Sequence, residues 1–257
     1  MHGKQRIVLA LNTRSRAKAL KHSQAVRRIF TTVKAVINLA ITEHRLDIRN
    51  AFSAIYMPEA ESKKRVSIPV ETISQIQQSC MEHDDDMRWL IALISDTGMR
   101  LAEAAGLHVD DIKLDEDIPY ADIKPHPWRS LKTKGRQRQV PLVGASLWAA
   151  QRIKANASSC FAFPRYTNNS RCNANSVSNA LNKWLHANLR KDIVIHGFRH
   201  AMRDRLRDVS CPSEMIDQIG GWSSRKVGEG YGGGYSVLQT KQWMTRSQLN
   251  QNQGRTL

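Results

Sequence analysis

The 257-residue sequence predicts a mainly α-helical protein with one small antiparallel β-sheet. Three observations support this prediction. Apolar residues recur at three- and four-residue steps over most of the chain, as they do on one face of a helix. The pattern changes to short strand-like segments only between about residues 111 and 142. Prolines and charges dominate residues 56–69, a composition typical of a linker between two regions.

The region before the linker is predicted to contain a helix over residues 14–46, because Val26, Phe30, Val33 and Ile37 share one apolar face. Basic residues occupy the other faces of this helix. Such residues are usually solvated, but they could equally lie along DNA phosphates. The candidates for DNA contact are Lys18, Arg27, Arg28 and Lys34.

The elements of the second region can be predicted in order from Pro69. A short helix begins at Val70, and another follows Asp84–Asp86, since acidic residues favour a helix N-terminus. One or two helical turns are expected over 100–107. Strands follow in DIKL, YADIK and QRQVPL, with a turn at Lys134-Gly135. Helices return at about 145–156, 174–189, 197–208 and 213–219, the last stopped by Gly220-Gly221, and a final one is expected over 237–249.

These patterns divide the chain into a helical region 1–60, a linker 61–69, a domain 70–250 and a tail 251–257. The formal net charge of +16 and the pI of about 10.1 indicate a nucleic-acid partner, although a merely basic protein would share them. No apolar run reaches the ~18–20 residues of a transmembrane helix, and no secretory signal follows Met1. We therefore expect a cytoplasmic, nucleoid-associated protein without a membrane partner.

Two motifs carry cationic residues suited to phosphate chemistry. In TGMRLAEAAGL, Arg100 stands where a helix begins, and Glu103 is close enough in sequence to orient its guanidinium. In LKTKGRQRQVPL, Lys132 and Lys134 lie on a predicted hairpin, from which a lysine can reach a phosphate. Arg136 adds positive charge to the same hairpin. Surface ion pairs and solvated turns have similar patterns, so neither motif decides the function alone.

A third motif, HGFRHAMRDRL, is predicted to begin a helix near Gly197. His196, Arg199 and His200 then lie within one turn and are expected to face the same way. A zinc site is disfavoured because the first histidine is followed by glycine rather than the glutamate of zincins, and no third ligand is evident. A helix start that is merely polar stays an alternative.

The stretch GGWSSRKVGEGYGGGYS, residues 220–236, places Trp222, Tyr231 and Tyr235 among glycines. A phenol has a pKa of ~10 and is a poor nucleophile at neutral pH without help. Arginines can neutralise charge on a phosphoryl transition state, while a lysine and a histidine can transfer protons to and from the reacting oxygens. No P-loop and no nucleophile elbow occur in the sequence. The set therefore suits phosphoryl transfer to a tyrosine, which requires no metal or nucleotide cofactor.

Together these motifs resemble those of tyrosine recombinases of the phage-integrase family, in the family's order from residue 69 to about 240. The resemblance implies the catalytic fold of these DNA breaking-rejoining enzymes. It implies catalytic roles for Arg100, Lys132, His196, Arg199, Trp222 and Tyr231 and supporting roles for Glu103 and His200. Lys134 is the alternative to Lys132, and with Arg136 it is otherwise a DNA contact. Tyr231 lies nine residues beyond Trp222, as the family's nucleophile does, and Tyr235 is expected to anchor the final helix.

The resemblance also implies a function and partners. It implies a site-specific recombinase of a prophage or mobile element that forms a 3′-phosphotyrosine on DNA attachment sites. It further implies a monomer that becomes a tetramer during synapsis, accessory DNA-bending or directionality factors, and a C-terminal segment packed on a neighbouring protomer. Residues 1–60 resemble the last helices of a core-binding domain, here shortened. A DNA-binding module without catalytic activity and a type IB topoisomerase-like enzyme stay as alternatives.

Overall fold

The computed structural model describes residues 16–54, 67–131, 137–222 and 234–248, with side chains from residue 25 onward. The chain divides into two compact units, Met1–Lys64 and Arg65–Leu257. The division falls inside the linker expected over 61–69, while the finer domain limits stay a prediction.

The first unit consists of one long helix and the turns that follow it. Helix α1 spans Arg16–Glu43, slightly less than predicted, and ends in a turn in which Arg45 has a φ of 49°. The chain then folds back on the helix, because the Asn50 side-chain amide donates to the backbone oxygen of Lys34 at 3.0 Å. The centres of the Phe30 and Phe52 rings lie 6.0 Å apart.

The second unit is mainly helical. Its described helices are α2 Val70–His83, α3 Asp86–Thr97, α4 Leu101–Ala105, α5 Gly144–Ala155, α6 Ala174–Asn188, α7 Ile195–Asp208, α8 Ser213–Gly220 and α9 Val237–Arg246. Most begin within two residues of the predicted positions, and α2 is longer than expected. None of the helices in the described ranges is long and apolar enough to cross a membrane.

Helix α3 forms the centre of this unit. Its N-terminus is capped by the Asp85 side chain, which accepts from the backbone N–H of Arg88 at 3.0 Å, as acidic N-cap residues do. Every residue from Leu90 to Thr97 is buried, and α2, α5 and α7 pack around it. The C-terminal end of α3 thereby brings the next residues, 98–100, up against α7.

The second unit also contains a three-stranded antiparallel sheet, in the order β1 Ile112–Lys113, β2 Tyr120–Ile123 and β3 Arg138–Pro141. Ala121 pairs with Ile112 on one side and Val140 on the other, and all three are fully buried. Strand β3 also packs against α8 and α9. The mainly α fold with a small antiparallel sheet confirms the predicted class, while the predicted Lys134-Gly135 turn lies outside the described residues.

Helix α9 packs on its own chain. It contacts β3 and α7, and its Met244 and Thr240 side chains are buried there. The Arg205 Nε on α7 donates to the Ser247 backbone oxygen at 2.9 Å. Residues 237–248 thus pack on the protomer that carries them, while the remaining residues of the C-terminal segment, 249–257, lie outside the described ranges.

Candidate active site

The turn after α3 places Arg100. Gly98 ends α3 with a φ of +60°, and a side chain at this position would strain the backbone and crowd Met202. Arg100 follows as the N-cap of α4, where its backbone N–H donates to Glu103 at 3.0 Å. Its guanidinium donates through Nη1 to Glu103 Oε1 at 2.7 Å and through Nη2 to the Gly221 backbone oxygen at 2.8 Å. The predicted Arg100–Glu103 pair is therefore formed, and it lies at the end of α8.

Glu103 is a buried carboxylate held by two arginines. Its side chain is only 4 % exposed, and Oε2 accepts a second guanidinium bond from Arg138 Nη2 at 2.8 Å. Burial by itself would raise the pKa of Glu103, but the charge of Arg138 and the hydrogen bonds from Arg138 and Arg100 outweigh burial and lower the pKa to about 2. Glu103 thus stays ionised and fixes the direction of Arg100.

Arg199 is buried on α7, with 3 % of its surface exposed. Its Nη1 donates to the Gly98 backbone oxygen at 2.7 Å, and its guanidinium lies 4.2 Å from the centre of the Trp222 ring. Burial, followed by repulsion from Arg100 and Arg138, lowers its pKa to about 9 although Glu103 acts in the opposite direction. Among the described residues the buried Nη2 has no hydrogen-bond partner. A buried donor left in this way is costly, and an anion would satisfy it.

The same helix carries the two predicted histidines. His196 and His200 are exposed, and their rings meet edge to face at 5.0 Å. Helix α7 begins at Ile195 rather than near Gly197, and Arg199 lies on the buried stripe with Phe198. Arg199 is thus buried while the two histidines are exposed, and the expectation that all three side chains face the same way stays a prediction.

Trp222 closes this side of the site. Helix α8 ends at Gly220, and Gly221 adopts a φ of +59°, which turns the chain back so that the Trp222 ring covers Gly220. A Cβ at Gly220 would lie 1.8 Å from that ring. The guanidiniums of Arg199 and Arg203 both lie over the Trp222 ring, 4.2 and 5.0 Å from its centre, a cation–π arrangement.

Several predicted site residues lie outside the described ranges. These are Lys132, Lys134, Arg136 and Tyr231, together with the side chain of Lys18. On the first unit, Arg28 is exposed, Arg27 is half-buried, and Lys34 Nζ donates to the Ser53 backbone oxygen at 3.3 Å.

Tyr235, the second tyrosine of the glycine-rich stretch, is held by α8. The Gln218 side-chain amide donates to the Tyr235 backbone oxygen at 2.7 Å and accepts from its N–H at 2.8 Å. The Tyr235 hydroxyl donates to Glu214 at 3.3 Å. Partial desolvation and then this carboxylate raise the pKa of Tyr235, which opposes its use as a nucleophile.

Sequence reasoning missed Arg138, the first residue of β3. Its side chain is 5 % exposed and binds both Glu103 and the Ile219 backbone oxygen, each at 2.8 Å. The segment QRQVPL predicted only a strand. Strand alternation nevertheless places Arg138 on the same face as the buried Val140, and a charged residue on a core-facing position was the available signal.

The site carries an excess of positive charge. Arg100, Arg138 and Arg203 all contribute to the lowered pKa of Arg199, whereas Glu103 is the only carboxylate among those influences. Asp217 pairs with Arg203 at 3.2 Å. A partly buried cluster of guanidiniums with one orphaned donor is suited to a phosphate-like anion.

Comparison with known proteins decides the family. The sequence model described as "Phage integrase family" matches residues 67–231, more than half of the chain. The chain belongs to the phage integrase family. The predicted catalytic positions from Arg100 to Tyr231 all fall inside the matched range, although their roles stay predictions.

Curated relatives of this integrase-family chain include tyrosine recombinases XerC from two Neisseria species. The protein of Neisseria meningitidis serogroup B is 30 % identical over 140 residues, which cover 52 % of this chain and 43 % of the relative. That of Neisseria gonorrhoeae is 29 % identical over the same extent. The matched part thus spans less than half the length of these curated relatives.

Solved structures share the fold of this family member. The Tn1549 transposon integrase in complex with circular intermediate DNA superposes with a TM-score of 0.54 at 16 % identity, covering 86 % of this chain and 78 % of that one. The lambda integrase tetramer bound to a Holliday junction gives 0.56 at 16 % identity, covering 80 % and 60 %. At such identities the likeness establishes the fold alone, and it agrees with the predicted recombinase catalytic fold.

Proposed function

We propose that this chain is a site-specific recombinase that cleaves and rejoins DNA through a 3′-phosphotyrosine on Tyr231. The observation that carries the proposal is the buried Arg199, whose Nη2 has no hydrogen-bond partner within the described residues, next to Arg100 and stacked on Trp222. A DNA phosphodiester is an anion of the right chemistry for two guanidiniums, each of which can bind non-bridging oxygens. XerC is named a tyrosine recombinase, which supports the same reaction class.

The proposed reaction exchanges one phosphodiester for another. The Tyr231 hydroxyl attacks the phosphorus, His196 accepts the phenolic proton, and the bond from phosphorus to the 5′ oxygen breaks. Lys132 protonates the departing 5′ oxygen, which leaves as a hydroxyl. Arg100 and Arg199 stabilise the negative charge of the transition state, with Trp222 holding Arg199 in place. The 5′ hydroxyl of a partner strand then reverses these steps, so that no nucleotide needs to be hydrolysed.

The partners follow from the same proposal. A lambda integrase tetramer occupies a Holliday junction, and the Tn1549 integrase is bound to a circular intermediate DNA. We propose that this chain likewise binds duplex attachment sites in a prophage or mobile element. It would bind as a monomer and form a tetramer at synapsis. The region 1–60 would serve as part of a core-binding domain. Basic residues of α1 and of the hairpin would contact the DNA backbone, namely Lys18, Arg27, Arg28, Lys34, Lys134 and Arg136.

The test is covalent capture. A library of nicked duplexes with randomised centres is incubated with the protein, and strands that become protein-linked are amplified to identify the preferred site. On that site, wild type and Tyr235→Phe should form an adduct and Tyr231→Phe should form none. A salt-sensitive gel shift without any adduct would indicate the DNA-binding module instead. Relaxation of supercoiled plasmid that lacks the selected site would indicate the topoisomerase-like alternative.

A further inference from the structure

Arg138 joins two parts of the active site that lie far apart in sequence. It opens β3, and its side chain is 5 % exposed. Its Nε donates to the Ile219 backbone oxygen near the end of α8, and its Nη2 donates to Glu103 Oε2, each at 2.8 Å. The last carbonyls of a helix lack partners in the helix and attract cations. A single guanidinium thus connects the carboxylate that orients Arg100 with the end of α8.

These contacts form a closed circuit of hydrogen bonds, here named the Arg100 ring. It runs through Arg138, Glu103, Arg100 and the backbone at the end of α8. Arg138 and Arg100 each hold one oxygen of Glu103, at 2.8 and 2.7 Å. Arg100 also donates to the Gly221 backbone oxygen at 2.8 Å, so that both arginines bind the end of α8. A Cβ on Gly221 would lie 2.8 Å from Arg138 Nη1, which shows how closely the ring is packed. Trp222, the next residue, lies on Arg199.

We propose that Arg138 is a positioning residue of the active site, which holds Glu103 and the end of α8 so that Arg100 and Trp222 are preset for the scissile phosphate. This rests on the proposed function. Arg138 is buried and acts on the phosphate only through its neighbours. Without it, the full charge of Glu103 faces Arg100 alone, and Arg100 must serve both the carboxylate and the phosphate. Misplacement of a reacting group by about 1 Å can cost about 100-fold in rate.

The alternative is a purely structural ion pair, and the chain offers a matched control. Arg205 is also 5 % exposed and binds Asp96, itself 4 % exposed, at 2.9 Å. Its other described bonds go to the backbone oxygens of Ser95 and Ser247. Arg205→Met therefore removes a buried arginine–carboxylate pair of nearly the same geometry that does not contact the Arg100 ring.

The experiment compares Arg138→Met, Arg138→Lys and Arg205→Met in single-turnover adduct formation on the nicked duplex selected with wild type. Each is assayed well below its own melting temperature, and DNA affinity is measured in parallel by gel shift. We expect Arg138→Met to lose about 100-fold in cleavage rate with less than about 3-fold change in affinity. Arg138→Lys should lose less, because one ammonium reaches only part of the ring. Arg205→Met should melt earlier and cleave at nearly the wild-type rate.

A second-site variant distinguishes a positioning role of Arg138 from a purely structural one. Glu103→Gln in the Arg138→Met background removes the charge that competes for Arg100, while the amide oxygen can still accept from it. We expect this double variant to cleave about tenfold faster than Arg138→Met, a non-additive effect of residues in one network. A wild-type rate for Arg138→Met, an equal loss in Arg205→Met, or no gain in the double variant would overturn the proposal. An inactive wild type would instead refute the proposed function.

Discussion

Because Arg199 is buried, we expect that removing its charge increases the stability of the folded protein. Arg199 has 3 % of its surface exposed and a pKa lowered to about 9, so its guanidinium is held charged in an unfavourable environment. We expect that replacing it by an apolar side chain of similar length, Arg199→Met, stabilises the folded protein at pH 7 while abolishing DNA cleavage. A buried charge that is not bonded to a carboxylate is costly, and an apolar side chain in its place removes that cost.

The size of this effect follows from two opposing contributions. The lowered pKa of Arg199 corresponds to roughly 5 kcal/mol against the charged form. The substitution also removes the hydrogen bond to the Gly98 oxygen and the stacking on Trp222, which together contribute roughly 2–3 kcal/mol. The difference predicts that Arg199→Met is more stable by about 2–3 kcal/mol, or several degrees in Tm for a chain of this size.

The pH dependence has a definite sign. Because the folded-state pKa of Arg199 lies below its unfolded value, wild type gains stability as the pH rises through about 9, where the folded state releases the proton. The advantage of Arg199→Met is therefore complete below about pH 9 and shrinks above it. Added inorganic phosphate should also reduce this advantage, because an anion bound by the arginine cluster stabilises wild type selectively.

Urea denaturation followed by circular dichroism at pH 7 and pH 10 measures this difference. Arg203→Met is the control, since its guanidinium also stacks on Trp222 at 5.0 Å but is 35 % exposed and paired with Asp217. The control should gain no stability. If Arg199→Met is less stable than wild type at pH 7, or if its advantage does not change with pH, the electrostatic account of Arg199 is wrong.

Three further predictions concern the surroundings of the site. Glu103→Gln should lower the free energy of unfolding by about 3 kcal/mol at pH 7 because the folded-state pKa is about 2, and urea titrations should show this loss fading as the pH falls from about 4.5 toward 2. Gly220→Ala should displace the Trp222 ring, 1.8 Å from the new Cβ, and cut the rate of adduct formation about 100-fold; unchanged kinetics would exclude a role for this ring. Arg205→Met should leave Asp96 buried without its arginine partner and lower the free energy of unfolding by about 3–5 kcal/mol. It should also make α9 sensitive to limited proteolysis; unchanged protection of α9 would contradict its attachment through α7.

The order and limits of most elements follow from local sequence signals. Asp85 caps α3 through its own side chain, and Gly221 adopts the left-handed conformation that ends α8, as the acidic run and the glycine pair predict. The pairing of Arg100 with Glu103 is likewise local, since the N-cap and the third residue of α4 are three positions apart. Each of these features depends on neighbours within a few residues, which is the range over which sequence patterns are informative.

The contacts that complete the site depend on long-range packing. Arg138 meets Glu103 across 35 residues, Arg199 meets the Gly98 oxygen across 101, and Arg100 meets the Gly221 oxygen across 121. Periodicity carries no information on such pairs. Periodicity also does not show that a charged residue of α7 is buried. Arg199 is packed among the apolar residues of this helix, while His196 and His200 are exposed.

The identity of the nucleophile is the most direct test of the proposed function. The covalent complex of wild type with the selected nicked duplex can be digested with protease and nuclease, and the nucleotide-linked peptide sequenced by mass spectrometry. We predict a single modified residue, Tyr231, joined to a 3′ phosphate, with a free 5′ hydroxyl on the released strand. Modification of Tyr235 or of any other residue, or a 5′-linked phosphate, would contradict the mechanism.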